Sequence, residues 1–352
     1  MARDPRPADV QVESYHGVHA RTRVTRISAG SESGRSFVLI AGIGVAATYF
    51  EFLAPLLAEE GDVYALDLPG FGGVPASGRP PTAAFFADQV EGVLAHYGLD
   101  DPVLVGHSMG TQVVTEVLAR RDDISHAVLV SPVVDEAEAT ALVQAVRFVQ
   151  STVRESLHIA LLAVSAYLLC GVLYFFETLP HMLRYRISDR VGAGRATLLL
   201  VRGEFDRPSP RRLHSRLVAR ARDARRWEIE GAAHCVVNSH AVGVARLVRR
   251  HIHDDLATKG RMPAAEAAVP PAKHADASMV LGAMASRLAE WVSAAREDED
   301  GVERAKARHA RVLWDAYRPG LSRRSDHGTD HDPGPARGDR GDGPTRRRGG
   351  WS

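Results

Sequence analysis

Lysine and cysteine are almost missing from this chain: of its 352 residues only Lys259, Lys273 and Lys306 are lysine, and only Cys170 and Cys235 are cysteine. Two cysteines give neither a disulfide framework nor metal-ligand spacing, and Cys235, beside His234, reads as small packing. The N-terminus Met1-Ala2-Arg3-Asp4-Pro5-Arg6 lacks an apolar signal core, so a reducing cytoplasm is the expected compartment. Charge of one sign is lacking too, with a net charge of +1, which leaves nucleic acid without an electrostatic footprint. What the chain does have is 45% apolar residues, enough to fill the core of one sizeable domain.

The lysines mark a boundary, because residues 1–258 use arginine alone and Pro, Ala and Gly rise afterwards. The expected organisation is a catalytic domain over residues 1–255, a linker over 256–277, a helical segment over 278–317 and a disordered tail over 318–352. Met279 to Trp291 and Val302 to Leu313 carry helical periodicity around the acidic run Glu297-Asp298-Glu299-Asp300. The tail is Gly, Pro, Asp and Arg with hardly an apolar residue, so burial cannot offset its ordering entropy. Asp326-His327, Asp330-His331-Asp332 and the anion-like run Arg346-Arg347-Arg348 are read as solvated tail, not as binding sites. No metal and no cofactor is called for.

The strongest statement is Pro102-Val-Leu-Val-Gly106-His107-Ser108-Met109-Gly110 followed by Val113, Val114, Val117 and Leu118 at helical spacing. A buried strand, a serine flanked by glycines two positions either side, and a helix are what a nucleophile elbow requires: a β-carbon at either glycine would collide with neighbouring backbone. The following helix aims free N–H groups at the turn, which makes Met109 N–H one oxyanion donor.

A serine needs a base and an orienting carboxylate in the chain order Ser, Asp or Glu, His. Thr197-Leu-Leu-Leu-Val201 reads as a buried strand leading to Asp206, and Arg226 to Glu230 reads as another leading through Gly231-Ala232-Ala233 to His234. Asp206 is the expected acid and His234 the expected base. Glu204 and Asp135 remain rivals for the acid, Asp135 because it ends the strand Ala127 to Pro132 at the same sheet edge.

In this order over roughly residues 10–255, the motifs resemble those of the α/β-hydrolase family. The strand Phe37 to Ile40 ends in Ala41-Gly42-Ile43-Gly44, similar to the family's oxyanion loop, which implies Ile43 N–H as the second donor. Ala41 stands where the family has a histidine, leaving the backbone donor in place. Asp67-Leu-Pro-Gly70-Phe-Gly72 resembles a further family segment that shapes a loop beside the pocket. The resemblance implies a mostly parallel sheet with helices on both faces and a helical cap at about 136–192.

Within that cap region Ile159 to Phe176 is uncharged over eighteen residues, the lower range of a membrane span. A single crossing would put Ser108 and His234 on opposite sides of the bilayer. The run is therefore read as cap helix, apolar on both the domain side and the substrate side, with shallow membrane contact as the alternative. His158, His181, Arg184 and Arg186 flank it as solvated helix ends.

These observations predict a serine hydrolase acting on a small hydrophobic carboxylic ester, with lactone, thioester and carbon–carbon bond cleavage as alternatives. Serine at the elbow speaks against the carboxylate nucleophile of the family's dehalogenases and epoxide hydrolases. Two readings of other classes stay open. One is a binding scaffold of this fold without catalysis. The other is a dinucleotide site, because Gly42-Ile43-Gly44-Val45-Ala46-Ala47 fits G-x-G-x-x-G/A after a strand and Asp67 ends the next one.

Overall fold

Apolar residues on both faces of the strands call for a sheet covered on both sides. The computed structural model describes residues 10–28, 35–152, 172–269 and 277–325. Among them, β1 (Val10–His16), β2 (Arg21–Ile27), β3 (Phe37–Ile40), β4 (Val63–Asp67), β5 (Val103–His107), β6 (His126–Val130), β7 (Thr197–Gly203), β8 (Ala224–Ile229) and β9 (Lys259–Met262) form one sheet. Their order is β1-β2-β4-β3-β5-β6-β7-β8-β9. The β1–β2 and β2–β4 pairs are antiparallel, and every pair from β4 to β9 is parallel.

Strand alternation sends successive side chains to opposite faces. Phe37, Leu39, Val103, Val105, Val128, Val130, Leu199 and Val201 enter one core, while Val38, Ile40, Leu104, Ala127, Leu129, Leu198 and Leu200 enter the other. The helices in chain order are α1 (Leu53–Leu57), α2 (Ala83–Tyr97), α3 (Met109–Leu118), α4 (Ala141–Thr152), α5 (Val172–Arg184), α6 (Ile187–Arg190), α7 (Arg211–Arg220), α8 (Val236–Ser239), α9 (Ala241–Ile252), α10 (Ala264–Ala267), α11 (Ala277–Ala295) and α12 (Glu299–Ser325). The first core is covered by α1, α8 and α9, the second by α2, α3 and α7. Local signals fix the ends of α2: Thr82 Oγ1 accepts from Phe85 N–H at 3.1 Å, and Gly98 takes φ 63° at the other end.

Two expected boundaries are corrected. The stretch 256–277 is no plain linker, because Lys259–Met262 pairs in parallel with β8 and Met262 and Ala267 enter the first core. Gly260 allows this close pairing, since a β-carbon there would meet the Trp227 ring at 2.5 Å. At the other end, helix replaces the expected tail as far as Ser325, so residues 318–325 are helical. The cap region is helical where described, through α4, α5 and α6. The part of the apolar run up to residue 171, with His158 and Cys170, lies outside the described residues, as do residues 270–276 and the Asp, His and Arg runs of 326–352. Among the described residues no helix is long and apolar enough to cross a membrane.

Candidate active site

The parallel strands deliver their C-terminal ends to one edge, and the side chains singled out in the sequence gather there. β5 runs into Ser108, which adopts φ 54° and ψ −121°, a conformation that an L-residue holds only when its surroundings enforce it. Its N–H donates to Val130 O at 3.0 Å. A β-carbon at Gly106 would lie 2.5 Å from Gly110 O, and one at Gly110 would lie 2.1 Å from Ile40 O. The turn therefore excludes every other residue at both positions.

His234 follows β8 and turns its ring towards the serine, with Nε2 3.1 Å from Ser108 Oγ. Its Nδ1 is 2.9 Å from Asp206 Oδ1. Burial alone would raise the Asp206 carboxyl; the charge and hydrogen bond of His234, the Ser131 hydroxyl and the Arg202 charge outweigh it and hold the group below the usual carboxylate range. An ionised carboxylate only accepts, so Nδ1 carries the ring proton and Nε2 is left to accept from the Ser108 hydroxyl.

The rival acids are engaged elsewhere. Asp135 pairs with Arg212 and Arg216, and Glu204 accepts from Gly231 N–H at 3.1 Å and pairs with Arg261 at 3.0 Å. Asp67, required by a dinucleotide site to hold a ribose, instead accepts from Ala47 N–H at 2.5 Å and pairs with Lys306 at 3.2 Å.

The oxyanion loop borders the hydroxyl from the other side. A β-carbon at Gly42 would lie 3.1 Å from Ser108 Cβ, so Gly42 lies directly against the serine side chain. Val45 N–H donates to Gly42 O at 3.2 Å and Gly44 takes φ 71°, which closes the loop into a turn. Met109 opens α3, where the first N–H groups have no partner within the helix.

His107, named with the elbow, lies under the base: its Nε2 donates to His234 O at 2.9 Å, and burial, then the His234 charge, pushes its own pKa down to about 3, so the ring is a neutral support. Other neighbours escaped the sequence. From α4, Ser151 Oγ accepts His234 N–H at 3.0 Å, and the Phe148 ring meets the His234 ring edge-on at 6.2 Å between centroids. The buried Arg202 donates to Asp206 O at 2.8 Å and to Ser209 O at 2.9 Å while pairing with Glu228. Ser209 N–H donates to Asp206 Oδ1 at 3.1 Å. The Asp206-x-x-Ser209 spacing was a visible signal for the last bond, since Asp side chains commonly cap nearby N–H groups. No local pattern announces Ser151, which comes from a separate helix.

The Alpha/beta hydrolase family pattern matches residues 37–247. Over 83 residues the chain is 37% identical to an uncharacterized hydrolase, YugF, of Bacillus subtilis (strain 168), a match spanning 22% of this chain and 29% of that protein. Among solved structures it resembles the 2-hydroxy-6-oxo-6-phenylhexa-2,4-dienoate hydrolase of Rhodococcus sp. strain RHA1, with 16% identity, a TM-score of 0.59, and 70% of this chain and 99% of that one covered. For the enol-lactonase of Burkholderia xenovorans LB400 the values are 14%, 0.60, 68% and 100%. For a carboxylesterase of Bacillus subtilis they are 17%, 0.56, 71% and 94%. At such identities the structural likeness is one of fold.

Proposed function

The chain belongs to the alpha/beta hydrolase family, and on that premise we propose that it cleaves a hydrophobic carboxylic ester, with Ser108 as nucleophile, His234 as base and Asp206 as orienting acid. The observation that carries the reading is the continuous hydrogen-bonded line from Ser108 Oγ through both His234 nitrogens to Asp206, at 3.1 and 2.9 Å. Along that line His234 Nε2 takes the hydroxyl proton as Oγ attacks the carbonyl, and Asp206 favours the imidazolium so formed. The N–H groups of Met109 and Ile43 receive the negative oxygen. The tetrahedral adduct expels the alcohol, which takes the proton from His234, and water repeats the cycle on the acyl-enzyme.

A hydrophobic substrate is favoured by the apolar character of the inserted helices. Phe148 meets the His234 ring, and Leu142, Val146 and Val149 on α4 and Leu173 and Phe176 on α5 expose apolar surface. The test is labelling with a fluorophosphonate probe, wild type against Ser108→Ala. We expect label on the wild type at Ser108 and none on the variant; a folded wild type that takes no label overturns the reading.

A further inference from the structure

The family pattern ends at residue 247, yet α11 and α12 pack back onto the domain beside the segment that follows the oxyanion loop. We propose that this C-terminal hairpin clamps the oxyanion loop, with Lys306 as a positioning residue acting through Asp67; the inference rests on the serine-hydrolase reading above. Lys306 reaches inward from α12, only 6% exposed, and its Nζ donates to Thr25 Oγ1 at 2.8 Å and to Asp67 Oδ2 at 3.2 Å. The other Asp67 oxygen accepts Ala47 N–H at 2.5 Å. Ala47 begins the single helical turn Ala47–Phe50 that follows Gly42, Ile43 and Gly44, so the carboxylate that Lys306 holds anchors the far end of the loop carrying the Ile43 donor.

A second tie reaches the same segment. Glu51, directly after that turn, pairs with Arg287 of α11 and with His309 of α12 at 2.9 Å. Arg287 also pairs with Glu290 at 2.9 Å. A third contact is steric: a β-carbon at Gly73 would lie 2.6 Å from Ala294 Cβ, so the loop after Asp67 seats directly against α11. Arg23 completes the cluster, donating to Gly72 O at 2.8 Å with Asp67 3.7 Å away.

Stability alone does not explain so many buried charges, because well-packed apolar residues serve a helix interface as well or better. What charge supplies is direction: Lys306 holds Asp67, which ties the start of the turn, and Arg287 with His309 holds Glu51, which follows its end.

The test uses the full-length protein with p-nitrophenyl butyrate, and hydrogen exchange read over residues 42–51 and over α3. For Lys306→Met we expect kcat to fall about 10- to 100-fold with KM within about twofold, the range between loosening and deleting an oxyanion donor. Exchange should quicken about tenfold over 42–51 and stay unchanged in α3. A global loss of stability would instead raise exchange in both regions. If Lys306→Met does not fold, Glu51→Gln cuts the second tie while keeping shape, and the same pair of readouts is expected from it. Unchanged exchange over 42–51, or unchanged kcat in a folded variant, overturns the proposal. If the wild type takes no fluorophosphonate label, the functional reading fails, while the exchange measurement still decides the clamp.

Discussion

On the proposed reading, three side chains at this site work only as one unit. Ser108 has no base without His234, and His234 offers Nε2 as the acceptor only while Asp206 holds the proton on Nδ1. Ser108→Ala and His234→Ala should therefore each lower kcat by about 10⁴- to 10⁶-fold, and the double variant should lose little more. Additive losses in steady-state kinetics would mean that the two do not cooperate. Asp206→Asn should cost about 10⁴-fold, since an amide stabilises neither the required tautomer nor the imidazolium. Asp135→Asn should leave kcat close to wild type, because that carboxylate answers to Arg212 and Arg216. A reversed outcome for the two aspartates would move the acid to the other strand end.

Between elements the decisive contact is where β5 turns into α3 under the end of β3. A methyl group at Gly110 would stand 2.1 Å from Ile40 O, a backbone atom that cannot swing aside as a side chain can. Gly110→Ala should then lower stability by about 1–3 kcal/mol, as overpacking a tight interior does, and displace the Gly42–Ile43 peptide from Ser108. Thermal unfolding together with kcat checks this, and a variant as stable and active as wild type would show slack in the turn. The glycine requirement, the buried strands and the order of Ser108, Asp206 and His234 were legible in the sequence because each is a local constraint with a local pattern. The contacts of Ser151 and Phe148 were not, since α4 meets His234 across 83 and 86 positions of chain and nothing near either residue records it. The ninth strand hid for another reason: Lys259–Met262 is four residues long, with Met262 its one buried side chain.

For the molecule as a whole, the lysine boundary near residue 258 marked a real change in composition but not the end of the packed structure. Lys259 opens the last strand, and Lys306 is buried beneath the first ones. The fold also sequesters histidines that the unfolded chain exposes. Burial pushes His107 and His214 down to about 3 and His240 and His251 down to about 4, with the His126 and Arg225 charges adding to the effect at His251. A free imidazole titrates near 6.5, so as pH falls through that value the unfolded chain binds protons that the native state refuses, and stability drops. Asp206, Asp135 and Glu228, held low in the native state, begin to withdraw their contributions only once pH falls to the ordinary carboxylate range, where the unfolded chain takes up protons, so the histidines govern the first stage of acid loss. Urea unfolding at pH 5 should therefore give a free energy lower than at pH 7 by about 1–2 kcal/mol for each such ring. His251→Gln keeps an amide donor for Thr197 O, which the ring now reaches at 3.1 Å, but cannot titrate. The variant should shrink the pH 7 to pH 5 difference by about that one share, and an undiminished difference would mean that His251 charges in place within the folded protein.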